Sequence, residues 1–260
     1  YKLISAIQNN NKKNEYYLTE VVKIARAKGY FCSFLEADPD EMIGVDTRLD
    51  LANAEAIFQA RMRQSVLLGG ASLTDPSSVF FSWDTKIGKD VSIGPNVIFG
   101  PGVTVKDNVT INPFCHIEGA SIWENAIVGP FARVRPKTEI SAGAHIGNFV
   151  EVKNTKIGKR VKANHLSYIG DTIVGNQTNI GAGTITCNFD GFLKHKTTIG
   201  ANVFVGSNTS LIAPINIGKE ATIGAGSTIN KNVPPYSLAV SRAAQKEFLS
   251  WGKNRKKKPK

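Results

Sequence analysis

Residues 86–105 read KIGKDVSIGPNVIFGPGVTV, and one numerical property of this stretch decides the fold. An apolar residue returns at every sixth position: Ile87, Ile93, Phe99, Val105. The period runs on through Ile111 and Ile117, then Ile122, Val128, Val134, Ile140, Ile146 and Val152. It resumes at Ile157, Ala163 and Ile169, at Val174, Ile180 and Thr186, and at Ile199, Val205, Leu211, Ile217, Ile223 and Ile229. Of these 24 positions only Thr186 is polar, whereas a chain that is 42% hydrophobic would fill about ten by chance.

No helix repeats every six residues. An extended segment with a sharp corner every six residues does, and three such segments make one triangular coil of about 18 residues with the periodic side chains pointing inward. Successive coils then pair as parallel strands roughly 4.8 Å apart. The expected fold is therefore mainly β, a parallel β-helix of eight coils. Glycine follows the periodic residue in 13 of the 24 cases, and the corner, where unusual backbone angles are needed, is where it is expected to serve. One interval is broken. Thr186 and Ile199 lie 13 apart, so CNFDGFLK (187–194) must leave the prism as a loop.

Outside the repeat the signals change. LTEVVKIARAKG (18–29) has helical spacing with Gly29 as its C-cap, and YFCSFLEA (30–37) reads as a short strand, together the remnant of an α/β domain over 1–45. A second helix follows from Asp46 or Thr47, either of which can cap it, with Leu51, Ala54, Phe58, Met62 and Val66 as its stripe. The expected organisation is this remnant, a linker helix over 46–72, the β-helix over 73–235 and a basic tail over 236–260.

Composition narrows the classes. No run of 18 apolar residues is present, so no membrane span is expected. Cys32, Cys115 and Cys187 are odd in number and far apart, which reads as reduced thiols in a cytoplasm. The net charge of +11 invites nucleic acid, but KNRKKKPK (253–260) alone supplies six of the basic residues. Such a terminal run is ordinarily a solvated tail, and small phosphate-bearing ligands fit the other cations as well. The chain begins at Tyr1, inside what reads as a domain, and is expected to be part of a longer protein.

Taking every third periodic position sorts the unusual residues into columns. Arg135 and Lys153 follow consecutive third-corner positions, where glycine is common, and Tyr168 precedes the next one. The inserted loop, with Asn188 and Lys194, leaves one coil later. Any one of these is ordinary surface charge, but their convergence reads as an anion site, with phosphate its natural ligand. His165 lies two residues after Ala163, a second-corner position, and the equivalent residues on later coils are Ala182, Ser207 and Ala225. Small residues at corners are often mere packing. Here they form a shallow ladder of about three strand spacings headed by an imidazole, long enough for a pantetheine arm. His116, His145, His165 and His195 fall at unrelated places in the repeat, so a three-histidine zinc site is not expected.

The segments GPFARVRPKTEI (129–140), GAHIGNFVEVKN (143–154), VKANHLSYIGD (161–171) and NIGAGTITCNFDG (179–191) closely resemble a known family. It is the bacterial bifunctional N-acetylglucosamine-1-phosphate uridyltransferases/glucosamine-1-phosphate acetyltransferases. NEYYLTEVVKIA (14–25) and GVDTRL (44–49) resemble the end of their uridyltransferase domain. The resemblance implies a left-handed β-helix of hexapeptide repeats that acetylates glucosamine-1-phosphate from acetyl-CoA, in a homotrimer with sites between subunits. It gives His165 as catalytic base with Glu151 near it. It gives Arg135, Lys153, Tyr168, Asn179, Asn188 and Lys194 to the amino sugar phosphate, and Ala182, Ser207, Ala225 and Arg242 to acetyl-CoA. Backbone N–H groups near 179–183 are candidates for the oxyanion. Where the family has a magnesium-binding Asn, this chain has Asp46, an oxygen ligand able to take that role for the uridyltransferase half. The family's Gly-rich nucleotide loop is missing from this chain, so UDP-N-acetylglucosamine formation is not expected from it. The rival reading is a hexapeptide-repeat acyltransferase acting on a different amine.

Overall fold

A computed structural model describes residues 2–253; Tyr1 and most of the basic run, 254–260, lie outside the described residues. The chain forms two compact units that divide after Ile57. In the first, helix α1 (Glu20–Ala27) ends in a Schellman motif: Gly29 at φ +78° donates to Arg26 O, and Tyr30 donates to Ala25 O. The strand expected over 30–37 is absent. Phe31 and Leu35 are each 95% exposed, and no strand among the described residues lies beside this segment to pair with it.

Helix α2 (Arg48–Leu68) is capped by Thr47, not Asp46. Thr47 Oγ1 accepts from the Asp50 N–H at 3.1 Å, and the Asp50 carboxylate accepts from the Thr47 N–H at 2.8 Å, a reciprocal capping box. The apolar stripe is not what α2 buries most deeply. Gln59 is, its amide pairing with both the N–H and the C=O of Phe81 at the start of the solenoid. Met62 and Val66 pack beside it.

The second unit is a parallel β-helix, left-handed as in hexapeptide-repeat folds. Its three faces are sheets of eight, ten and eight strands, and the faces collect the first-, second- and third-corner positions as the spacing predicts. Val134 pairs with Val152 on the third face, and Ile146 pairs with Ala163 on the second. All the periodic residues except Ile87 are buried. The second face extends past the repeat at both ends, from Ser72–Leu73 to Leu238–Ala239.

Two features escaped the six-residue count. The position two before each periodic residue also points inward: Val91, Val103, Val161 and Ala144 are wholly buried, and threonines occupy it on later coils. Several of those threonines are satisfied locally, as Thr184 and Thr209 are by donating to the carbonyls of Gly181 and Gly206 at 2.7 Å, while the buried hydroxyls of Thr138 and Thr197 have no hydrogen-bond partner among the described residues. Thr186, the polar exception in the main column, accepts the Gly170 N–H at 2.8 Å inside the core. The second feature corrects the role of glycine. The left-handed corner lies three residues after the periodic position, where Asp90, Asn96, Asn108 and Asn125 have φ of 55–59°. The glycine directly after it is needed for close approach between coils: a Cβ on Gly147 would meet the Asn164 carbonyl of the next coil at 2.0 Å.

Candidate active site

That close approach aligns the strands His145–Asn148 and Lys162–His165, which pair in register with Asn148 opposite His165. The His165 ring is exposed, and its Nδ1 lies 2.6 Å from Asn148 Oδ1. An amide oxygen only accepts, so Nδ1 is the donor in this contact, and in the neutral ring Nε2 is then left with its lone pair. Glu151 is not the residue on this ring. Its Oε1 accepts from Arg135 Nη1 at 2.8 Å, because the register sets Glu151 opposite Arg133 and Tyr168 on the third face. Asn148 went unnoticed in the sequence, although it stands 17 residues before His165, one coil earlier in the same column.

The third-face edge gathers the expected cations. Lys194 comes in from the loop beside Lys153 and, with Arg135 adding to it, holds the Lys153 ammonium below the ordinary lysine range. Arg135 is held above its usual range by Glu151, with Tyr168 nearby contributing. Asn188, 7% exposed, donates to the Asp171 carboxylate, and its amide lies 3.5 Å from Tyr168 Oη. Asn154 donates to the same carboxylate at 2.5 Å. Gly170 makes room for this cluster, since a Cβ there would meet Tyr168 Oη at 2.5 Å and Asn188 Nδ2 at 2.8 Å. The projecting loop is ordered by Asp190. Its carboxylate accepts from the Phe192 and Leu193 N–H groups and pairs with His195 Nε2 at 2.6 Å, which keeps it far below the usual carboxylate range. Arg135, Lys153, Tyr168, Asn188 and Lys194 are thus brought together in one chain. Asn179 is not: it sits opposite Lys162 at the start of a second-face strand.

His165 heads the column continued by Ala182, Ser207 and Ala225, and Arg242 Nη1 donates to the Ala225 carbonyl at 2.5 Å at its far end. The coils are tightly stacked under the ladder, because a Cβ on Gly181 or Gly206 would meet the Ser207 or Ala225 N–H nitrogen at 2.6 and 2.5 Å. The N–H groups of Asn179, Gly181 and Gly183 are committed to the carbonyls of Val203, Val205 and Leu166, so the expected oxyanion donor does not come from those three. Asp46 stands at the residue before the Thr47 cap of α2. No three His, Cys, Asp or Glu side chains gather to hold a metal among the described residues, and the neighbouring Asp50 carboxylate is taken by Thr47.

A solenoid of six-residue repeats is the architecture of the hexapeptide-repeat transferases. Residues 84–119 match the family model for bacterial transferase hexapeptide (six repeats), and residues 196–231 match the hexapeptide repeat of succinyl-transferase. The Arabidopsis UDP-N-acetylglucosamine acyltransferase shares the fold, with a TM-score of 0.52 at 20% identity over 63% of this chain and 70% of that one. Closer relatives are proteins named bifunctional protein GlmU. That of Paramagnetospirillum magneticum is 54% identical over 96% of this chain and 56% of its own length; that of Zymomonas mobilis is 50% identical over 99% and 58%. The chain belongs to the GlmU family, and it spans a little over half the length of these relatives.

Proposed function

We propose that this chain transfers the acetyl group of acetyl-CoA to the 2-amino group of glucosamine-1-phosphate, the acetyltransferase step of UDP-N-acetylglucosamine synthesis in the bacterial cytoplasm. The observation that carries this reading is the gathering of Arg135, Lys153 and Lys194 at one third-face edge, next to the coil that carries His165 and leads into the small-residue ladder. The cluster holds the sugar phosphate, and the ladder from Ala182 to Arg242 takes the pantetheine arm. The amine nitrogen attacks the thioester carbonyl while His165 Nε2 takes its proton. The C–N bond forms, the tetrahedral oxyanion collapses, the C–S bond breaks, and the proton passes to the departing thiolate. Of the run 179–183, Ala182 is the first ladder residue after His165 by position in the repeat, and its N–H is the one assigned to the oxyanion.

The site is completed between subunits of a homotrimer, which is where Asn179 joins it. An exposed aromatic ladder supports this. Phe114, Phe131 and Phe149 stack with centroids 4.8 and 5.1 Å apart, 45–56% exposed, and Leu166 continues the column directly after His165. All four hold positive φ, a conformation that bulky residues adopt only at a cost of about 1–3 kcal/mol each. Burial against neighbouring subunits offsets that cost.

Lys153→Ala tests the phosphate assignment. It is expected to raise KM for glucosamine-1-phosphate roughly ten- to a hundredfold, the range of one charge-assisted hydrogen bond. KM for acetyl-CoA should stay close to wild type. The depressed Lys153 also fixes a pH trend, because a bound phosphate favours its charged form. Affinity is full at neutral pH and declines as pH rises through the lowered pKa, and the variant should show less of that decline. An unchanged sugar KM in steady-state kinetics would remove Lys153 from the site.

A further inference from the structure

We infer that Asn148 is the positioning residue for the catalytic base, fixing His165 as the Nδ1–H tautomer, and that Glu151 serves the phosphate clamp instead. This rests on the proposed acetyl transfer. The geometry leaves little alternative: Asn148 Oδ1 is 2.6 Å from His165 Nδ1, and the Glu151 carboxylate is committed to Arg135 at 2.8 Å on a different face. The two strands are clamped by the Gly147–Asn164 approach, so the amide and the ring are presented side by side by backbone register. A neutral acceptor suits a base that must begin the reaction uncharged. It selects the tautomer whose Nε2 faces the amine, yet it stabilises the imidazolium less than a carboxylate would. Among the titratable groups on the same sheet, His145 is held below the ordinary histidine range by burial first and then by the nearby His165 and Lys162. No carboxylate makes a hydrogen bond or ion pair to the ring among the described residues.

Three variants and two readouts test this. Asn148→Ala should lower kcat roughly 10- to 100-fold, below the ~10²–10⁴-fold that a general base contributes, with KM for the sugar nearly unchanged. Asn148→Asp should retain much of the rate but move the acidic limb of the kcat/KM profile upward by about one pH unit, because a carboxylate favours the imidazolium. Glu151→Gln should raise sugar KM and leave that limb in place. If Glu151→Gln moves the limb and Asn148→Asp does not, the assignment is overturned. The second readout is independent of activity. In ¹⁵N-labelled protein, with the His165 signal assigned by its loss in His165→Ala, Nδ1 should be the protonated nitrogen in the wild type and Nε2 should gain the proton in Asn148→Ala. An Nε2–H ring in the wild type overturns the inference even if acetyl transfer is observed. An Nδ1–H ring in a protein that acetylates nothing would sustain the tautomer assignment while the proposed function falls.

Discussion

His165→Ala is expected to lower kcat for acetyl transfer by about 10²–10⁴-fold, the contribution of a positioned general base. Binding should survive, since the cations lie on the third face and the ladder begins one coil later. KM values within a fewfold of wild type are therefore expected beside the lost turnover. The ring is exposed and contributes no core packing, so the variant should unfold at the same urea concentration as the wild type. Ellman's assay for released CoA, run with a urea titration, checks both statements. Near-equal rates would remove His165 from the chemistry, and a stability loss would show the residue to be structural.

Phe131→Asp is expected to be nearly as damaging from a different place. Phe131 stacks between Phe114 and Phe149, and the trio leads along one edge toward Leu166 and His165. A charge there would be buried without a partner on association, at a cost of several kcal/mol for each of three subunits. Each coil beneath is held by its own inward residues, with Val128 and Val134 wholly buried, so the monomer should still fold. Sedimentation should then show a monomer in place of a trimer, and turnover should fall by more than about 100-fold if each site needs two chains. A trimeric Phe131→Asp protein, or an active monomer, would refute this edge as the interface.

How much of this was legible in the sequence follows from what each residue is fixed by. The core was, because a strand corner every six residues forces the inward position to recur at fixed spacing, and Val134, Val152 and Ile169 fall in one column as counted. The same counting carries Arg135, Lys153 and Tyr168 to one edge by backbone register, and the broken 13-residue interval marked the loop that brings Lys194 beside them. What register does not fix was missed. Which carboxylate or amide reaches the imidazole depends on side-chain direction, and the choice fell on Asn148 rather than Glu151. Glycine was assigned to the corner because composition does not separate a positive φ from a close approach; the asparagines three residues after the periodic positions were the signal for the former. The 30–37 segment failed for a simpler reason. A strand is a property of a pair, and its exposed Phe31 and Leu35 have no partner strand among the described residues.

Acetylation of an amino sugar through its anchored phosphate can be read from CoA release by the wild-type chain, with acetyl-CoA as donor and glucosamine-1-phosphate and phosphate-free glucosamine compared side by side. Rapid release is expected with the first and a roughly tenfold to hundredfold lower kcat/KM with the second, since the Arg135, Lys153 and Lys194 contacts are then lost. No release with glucosamine-1-phosphate, or equal kcat/KM for the two amines, would contradict it.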